Sequence, residues 1–174
     1  MIFLIPININ TTQKIKLNTN KMQVLNYEND AKALREAMRG MGTDEEALIQ
    51  ITGTRSNKDR QGIRQAYKAA YGRDLLEDLQ NELSGDFLNV IEGMYMSPVE
   101  FDVLEIYNAC KGAGTDEDTL SEIIGSRSNY RLREVKTAYK LKYGEDLEIR
   151  IKDETSGDYR KLMCKQLKIK IKIL

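Results

Sequence analysis

Apolar residues in the middle of this chain recur every three or four positions, which is the spacing of amphipathic helices. The first predicted helix starts at a cap at Asp30, and the glycines at positions 40 and 42 end it. Four more helices follow, because a capping residue precedes each later apolar stretch; these caps are Thr43, Asn57, Asp74 and Ser84. The pattern predicts five short helices and requires no strand.

The same plan occurs again 72 residues further along the chain. Residues 40–86 align without a gap with residues 112–158, and nearly half of the aligned positions are identical. The second set starts at Pro98, and its later caps are Thr115, Asn129, Asp146 and Ser156. Helices this short are marginal alone, so they must be held by packing. The repeat therefore predicts an all-α protein with five helices in each of two repeats.

The two ends of the chain differ from the repeats. Residues 1–21 are rich in Ile, Asn, Thr and Lys without helical periodicity, so residues 1–26 are predicted to be a disordered tail. The apolar run at residues 1–7 follows no positive charge and has no clear cleavage site, so no signal peptide is expected. Residues 167–174 are predicted to be a second tail, either disordered or a basic segment that touches a membrane. The two predicted repeats are therefore residues 27–96 and residues 97–166.

Composition narrows the classes of function. The 27 basic residues cancel the 27 acidic ones, so no basic field is present to attract nucleic acid. The absence of histidine removes the commonest general base, and no enzymatic activity is expected. The two cysteines, Cys110 and Cys164, make no disulfide framework and favour a reducing compartment. No apolar run is long enough to cross a bilayer.

Each repeat contains a Gly-x-Gly-Thr-Asp-Glu loop and a glutamate 40 residues after its second glycine. Glycine permits positive φ angles, so such a loop can turn several carbonyl oxygens toward one point. Calcium takes six to eight oxygen ligands, including carbonyls and carboxylates. A helix stop followed by a threonine cap would explain one loop alone. Its repetition, with Glu82 and Glu154 at the same distance, favours two calcium sites.

The number of ligands suggests how such a site works. Three carbonyls and one bidentate glutamate supply five oxygens, which leaves about two calcium positions for water or a lipid phosphate. With one carboxylate the intrinsic affinity is expected to be weak, roughly 10⁻⁵ to 10⁻³ M. Glu45 and Glu117 fit the positive first turn of a helix. The alternative is a weaker secondary calcium site at each, with Thr43 and Thr115.

Residues 38–45 and 111–117, together with Glu82 and Glu154, resemble the type II calcium-site signature of annexin repeats. The resemblance covers about residues 27–166 and includes residues 55–57, 67–75 and 84–87. It implies a right-handed superhelical fold and two calcium ions, with carbonyl ligands from residues 38, 40, 42, 110, 112 and 114. In full, the implied ligands are Met38, Gly40, Gly42 and Glu82 in one repeat and Cys110, Gly112, Gly114 and Glu154 in the other.

Two further positions follow from the resemblance. Cys110 stands where the family usually has Met or Leu, but a backbone carbonyl is the ligand there, so the change should matter little. Arg55 and Arg127 resemble a partly buried arginine that ties helix ends together.

The resemblance implies a protein that binds anionic phospholipid when cytoplasmic calcium rises and stays peripheral on the membrane. The alternative is a helical scaffold that binds a protein partner, or itself, independently of calcium. Annexins carry four repeats and this chain carries two, which resemble the first and second of the four. Apolar side chains that would meet other repeats are therefore expected to be exposed, or covered by a second copy. A third possibility is a half-annexin that is not stable alone.

Overall fold

The computed structural model describes the backbone of residues 11–168 and the side chains of residues 22, 24 and 26–168. The chain divides into two compact units between Tyr95 and Met96. Within the described residues each unit has five α-helices and no strand. The all-α prediction with five helices in each repeat is therefore confirmed. The predicted tail beyond residue 168 lies outside the described residues.

The helices of the two units correspond in order. Unit 1 contains α1 (Thr11–Ala37), α2 (Glu45–Thr54), α3 (Asn57–Tyr71), α4 (Leu75–Glu82) and α5 (Gly85–Tyr95). Unit 2 contains α6 (Pro98–Ala109), α7 (Glu117–Ser126), α8 (Asn129–Tyr143), α9 (Leu147–Glu154) and α10 (Gly157–Leu167).

Helix α1 begins well before the predicted cap at Asp30. The prediction of a disordered tail therefore does not hold for residues 11–26, and residues 1–10 lie outside the described part. Sequence chemistry explains the longer helix, because no glycine or proline stands between Pro6 and Gly40 to end it. The Asp30 carboxylate does not cap a helix and instead pairs with Arg55.

Several helices begin at a different cap from the predicted one. Asp44 and Asp116, not the threonines before them, cap α2 and α7 by accepting 3.0 Å hydrogen bonds from backbone N–H groups. Similarly, Ser56 and Ser128 cap α3 and α8, one residue before the predicted asparagines. In each case the side-chain oxygen of the observed cap reaches the N–H three residues later. The predicted caps at residues 74 and 146 are confirmed.

Each unit has its own apolar core. The cores are built from equivalent positions, since eleven buried apolar residues of unit 1 have buried apolar counterparts 72 residues later. In the first four helices of each unit there are six such pairs in which both side chains are larger than alanine. These pairs are Leu34/Ile106, Leu48/Leu120, Ile63/Val135, Tyr67/Tyr139, Leu75/Leu147 and Leu79/Ile151. Burial of a side chain of this size contributes about 1.5–3 kcal/mol. The repeated sequence pattern thus encodes one core twice.

An arginine–aspartate pair ties two helices together in each unit. Arg55, at the end of α2, forms 2.6 and 2.9 Å hydrogen bonds with the two carboxylate oxygens of Asp30 in α1. Arg127, at the end of α7, pairs with the buried Asp102 of α6 at 2.9 Å. These contacts match the structural role that the resemblance implied for both arginines. Among the described helices, none is long and apolar enough to cross a membrane.

Candidate metal-binding loops

Both glycines of each loop have backbone angles that favour glycine. The φ angles are 103° at Gly40 and 90° at Gly42, and 101° at Gly112 and 100° at Gly114. Residues with a Cβ rarely adopt such angles. The near-identity of the two pairs shows that both copies fold their loop in the same way.

The same hydrogen bond closes both loops. The N–H of Asp44 donates to the carbonyl oxygen of Ala37, and the N–H of Asp116 donates to that of Ala109, each over 2.9 Å. This bond links the last residue of one helix to the cap of the next. The intervening residues therefore form a compact loop with exposed glycines.

In unit 2 the structure brings the loop and its distant glutamate together. The hydroxyl of Thr115 donates a 2.8 Å hydrogen bond to the backbone carbonyl of Glu154 and lies 3.4 Å from Oε2 of its carboxylate. The two residues are 39 positions apart in sequence. In unit 2 the glycine loop and the distant glutamate therefore lie side by side, as expected, and Thr115 makes the contact between them.

A residue that the sequence did not single out also lies at this site. Nη2 of Arg150, in α9, donates a 2.6 Å hydrogen bond to the carbonyl oxygen of Cys110. The same nitrogen lies 3.0 Å from Oε1 of Glu154. Two of the four candidate metal ligands of unit 2 therefore converge on one positively charged group.

Unit 1 has no such arginine, and its glutamate stands apart. Glu82 is the last residue of α4 and is exposed. Among the side chains that the structure describes, its carboxylate has no hydrogen-bond or ion-pair partner. Met38, at the start of the loop, is buried. The structure does not show contact between Glu82 and the loop, so the two candidate sites differ.

The candidate secondary ligands lie at the starts of α2 and α7. The carbonyl oxygens of Thr43 and Thr115 accept 3.1 Å hydrogen bonds from the N–H groups of Glu45 and Glu117. Both glutamate side chains are exposed in the first helical turn. This position favours a negative charge whether or not a metal binds.

Ionisation near the unit 2 loop follows from burial and hydrogen bonding. Burial raises the pKa of the Cys110 thiol, so the thiol stays protonated at neutral pH. Hydrogen bonds from the backbone N–H and the hydroxyl of Thr119 lower the pKa of Asp116. The loop thus carries an ionised carboxylate at its helix start and no thiolate.

The chemistry of these groups fits a hard cation. Carbonyl oxygens and a single carboxylate are calcium ligands, and the convergence of Cys110 and Glu154 on a guanidinium shows that they can face one cation. No group of three or more His, Cys, Asp or Glu side chains gathers in the described residues. A metal at either loop would thus depend mainly on backbone oxygens.

A family model described as Annexin matches residues 29–93 and 101–165, which are most of both units. The chain belongs to the annexin family. Annexin A11 of Mus musculus is 52% identical over 134 residues, which cover 77% of this chain and 27% of that protein. Annexin A4 of Sus scrofa is 48% identical over 138 residues, which cover 79% of this chain and 43% of that protein. The chain thus spans less than half of these annexins.

Solved structures support the same assignment. Annexin III superposes with a TM-score of 0.78 at 40% identity, covering 81% of this chain and 44% of that one. A structure described as calcium-bound annexin (Sm)1 has a TM-score of 0.72 at 34% identity, covering 81% of this chain and 43% of that one. The predicted annexin family is therefore confirmed.

Proposed function

We propose that this annexin-family chain binds calcium at its two glycine loops and, through calcium, binds anionic phospholipid. The observation that carries the proposal is the pair of loops with matching glycine φ angles and matching closure. The net charge of zero gives the chain no overall attraction for an anionic membrane, and a bridging cation would supply that attraction. The protein acts as a binding module in the cytoplasm and not as an enzyme.

The residues of each loop have distinct roles in this proposal. In unit 1 the carbonyls of Met38, Gly40 and Gly42 and the carboxylate of Glu82 hold the metal. In unit 2 the carbonyls of Cys110, Gly112 and Gly114 act with the carboxylate of Glu154. When bound, calcium supplies open coordination positions that a lipid phosphate oxygen can fill. Thr115 helps to hold Glu154 beside its loop.

Co-sedimentation with vesicles tests this function. The full chain is mixed with vesicles of phosphatidylserine and phosphatidylcholine, in calcium or in a chelator. It should pellet only with calcium, and Glu82→Gln/Glu154→Gln should abolish pelleting. The matched control Glu77→Gln/Glu122→Gln removes two exposed carboxylates elsewhere and should pellet normally. Pelleting of the double loop variant at the normal calcium concentration would falsify the assigned sites.

A second candidate function, self-association independent of calcium, is favoured by one surface of unit 2. A groove of about 440 Å³ there is lined by residues of α6 and α8 that include Val99, Tyr130, Ala138 and Leu141. The Leu141 side chain is 83% exposed, and that of Tyr130 is 64% exposed. Light scattering in a chelator should show a dimer that Leu141→Glu dissociates. A monomer at all concentrations would exclude this candidate.

A further inference from the structure

Equivalent positions of the two units carry opposite charges beside the candidate calcium sites. Asp78 of α4 and Arg150 of α9 are 72 residues apart and stand four residues before Glu82 and Glu154, respectively. The sequence repeat therefore keeps the glutamate and reverses the charge one helical turn before it. Asp78 and Arg150 affect their candidate calcium sites differently, because the two side chains have different partners.

In unit 1, Asp78 is buried, and its partners are side chains other than the candidate calcium ligands. It accepts a 2.6 Å hydrogen bond from Tyr67 and pairs with Arg35 at 3.2 Å, and Arg73 lies against its other oxygen. These partners fix Asp78 inside the unit. Among the described side chains, none donates to the Met38 carbonyl or pairs with Glu82.

In unit 2, Arg150 binds two of the oxygens that are candidate calcium ligands. Its Nη2 lies 2.6 Å from the Cys110 carbonyl oxygen and 3.0 Å from Oε1 of Glu154. Calcium–oxygen distances are about 2.3–2.6 Å, so an ion bound by both oxygens would overlap this nitrogen. Arg150 keeps its charge at every physiological pH, so it can leave the site only by moving.

We propose that the Arg150 guanidinium competes with calcium for the Cys110 carbonyl oxygen and the Glu154 carboxylate. The two calcium sites would therefore fill at different calcium concentrations. This rests on the proposed function, since it assumes that both loops bind calcium. The unit 1 site is open and fills first. The unit 2 site fills only after the guanidinium gives up both oxygens, and a divalent ion is then held beside a freed positive charge. The chain thereby responds to calcium in two stages.

The test compares calcium binding by calorimetry in variants that retain one site. Glu154→Gln leaves the unit 1 site, and Glu82→Gln leaves the unit 2 site. The unit 2 site should bind calcium roughly tenfold more weakly than the unit 1 site. Adding Arg150→Gln to the Glu82→Gln protein should tighten calcium binding at the unit 2 site by the same factor, which corresponds to about 1.4 kcal/mol. The matched control is Lys152→Gln, which removes an exposed positive charge from the same helix and should not change the affinity.

The outcomes separate this inference from the proposed function. Equal affinities in the two single-site proteins, or equal tightening by Lys152→Gln and Arg150→Gln, would overturn the role of Arg150 and leave the proposed function intact. Failure of the Glu154→Gln protein to bind calcium would overturn the proposed function, and the inference with it. Thermal unfolding in a chelator checks that each variant is folded.

A measurement on the unmodified chain covers the case in which Arg150→Gln does not fold. Gly42 and Gly114 are equivalent residues, so their amide NMR signals report on the two loops within one molecule. On calcium titration the Gly42 signal should shift at roughly tenfold lower concentration than the Gly114 signal. The Arg150 side-chain signals should move together with Gly114. A common midpoint for both glycines would overturn the inference.

Discussion

The hydroxyl of Tyr67 donates a 2.6 Å hydrogen bond to Oδ2 of Asp78, and both side chains are buried. The equivalent tyrosine of unit 2, Tyr139, is equally buried, but its hydroxyl has no hydrogen-bond partner in the described part of the chain. At the equivalent positions of unit 2, Arg150 stands in place of Asp78 and Tyr107 in place of Arg35, so neither hydrogen-bond partner of Tyr67 is conserved there. The two tyrosines are therefore buried to the same extent, but only Tyr67 has a hydrogen-bond partner among the described residues.

Removal of these two hydroxyls should have different effects on stability. Tyr67→Phe leaves the buried Asp78 with one donor fewer and should lower the free energy of unfolding by about 1–2 kcal/mol. Tyr139→Phe removes an unpaired buried hydroxyl and should leave stability unchanged or raise it by up to about 1 kcal/mol. Urea denaturation of each variant measures both values. Equal losses would show that Tyr139 has a partner, such as water.

The architecture could be predicted from the sequence because it depends on local patterns of apolar and capping residues. Within the described residues, the ten helices and two cores follow from apolar spacing and from the recurrence of core positions such as Leu48 and Leu120. The start of α1 was predicted wrongly, because polar composition alone does not end a helix. The cap positions were wrong by one residue at four helices, since adjacent Thr-Asp and Ser-Asn pairs both contain good caps.

The candidate site was predictable only in part. Glycines at the loops and the glutamate at fixed distance are visible as a motif, and the structure gives those glycines positive φ angles. Arg150 is not part of a motif. A signal for it existed in the charge reversal between Asp78 and Arg150, but its meaning depends on which way each side chain points. That direction is set by tertiary packing, which sequence spacing does not encode.

The ion pair between Arg55 and Asp30 should be a major contributor to the stability of unit 1. Arg55→Met leaves a buried carboxylate without its two hydrogen bonds and should lower the free energy of unfolding by about 3 kcal/mol. The double variant Asp30→Asn/Arg55→Met removes both charges and should recover part of that loss. Chemical denaturation measures the coupling. If the changes in the free energy of unfolding caused by the two substitutions simply add in the double variant, the two groups do not interact in solution.

The loop glycines should be intolerant of alanine even though space is available. No heavy atom lies within 4 Å of a Cβ built on Gly42, so any cost comes from its φ angle of 90°. Gly42→Ala should destabilise the protein by about 1–2 kcal/mol and weaken calcium binding at the first loop. The control Gly53→Ala lies in α2 with similar space and should stabilise the protein by about 0.5–1 kcal/mol. Thermal unfolding distinguishes the two outcomes.

Stability should fall at high pH because of three buried tyrosines. Burial is the main cause that raises the pKa of Tyr67, Tyr95 and Tyr139 to about 12, compared with an ordinary value of 10.0. Between these values the unfolded chain loses its tyrosine protons and the folded chain keeps them. Unfolding is therefore favoured as pH rises, so the stabilising effect is complete below pH 10 and is lost by about pH 12.

Urea denaturation across this pH range measures the effect. Each buried tyrosine should reduce the free energy of unfolding by at most about 1.4 kcal/mol per pH unit. The side chain of Tyr130 is 64% exposed, so Tyr130→Phe serves as the control and should leave this slope unchanged. Tyr139→Phe should reduce the slope, because it removes a hydroxyl that titrates only on unfolding. A slope unaffected by Tyr139→Phe would mean that this hydroxyl ionises in the folded protein, which its burial opposes.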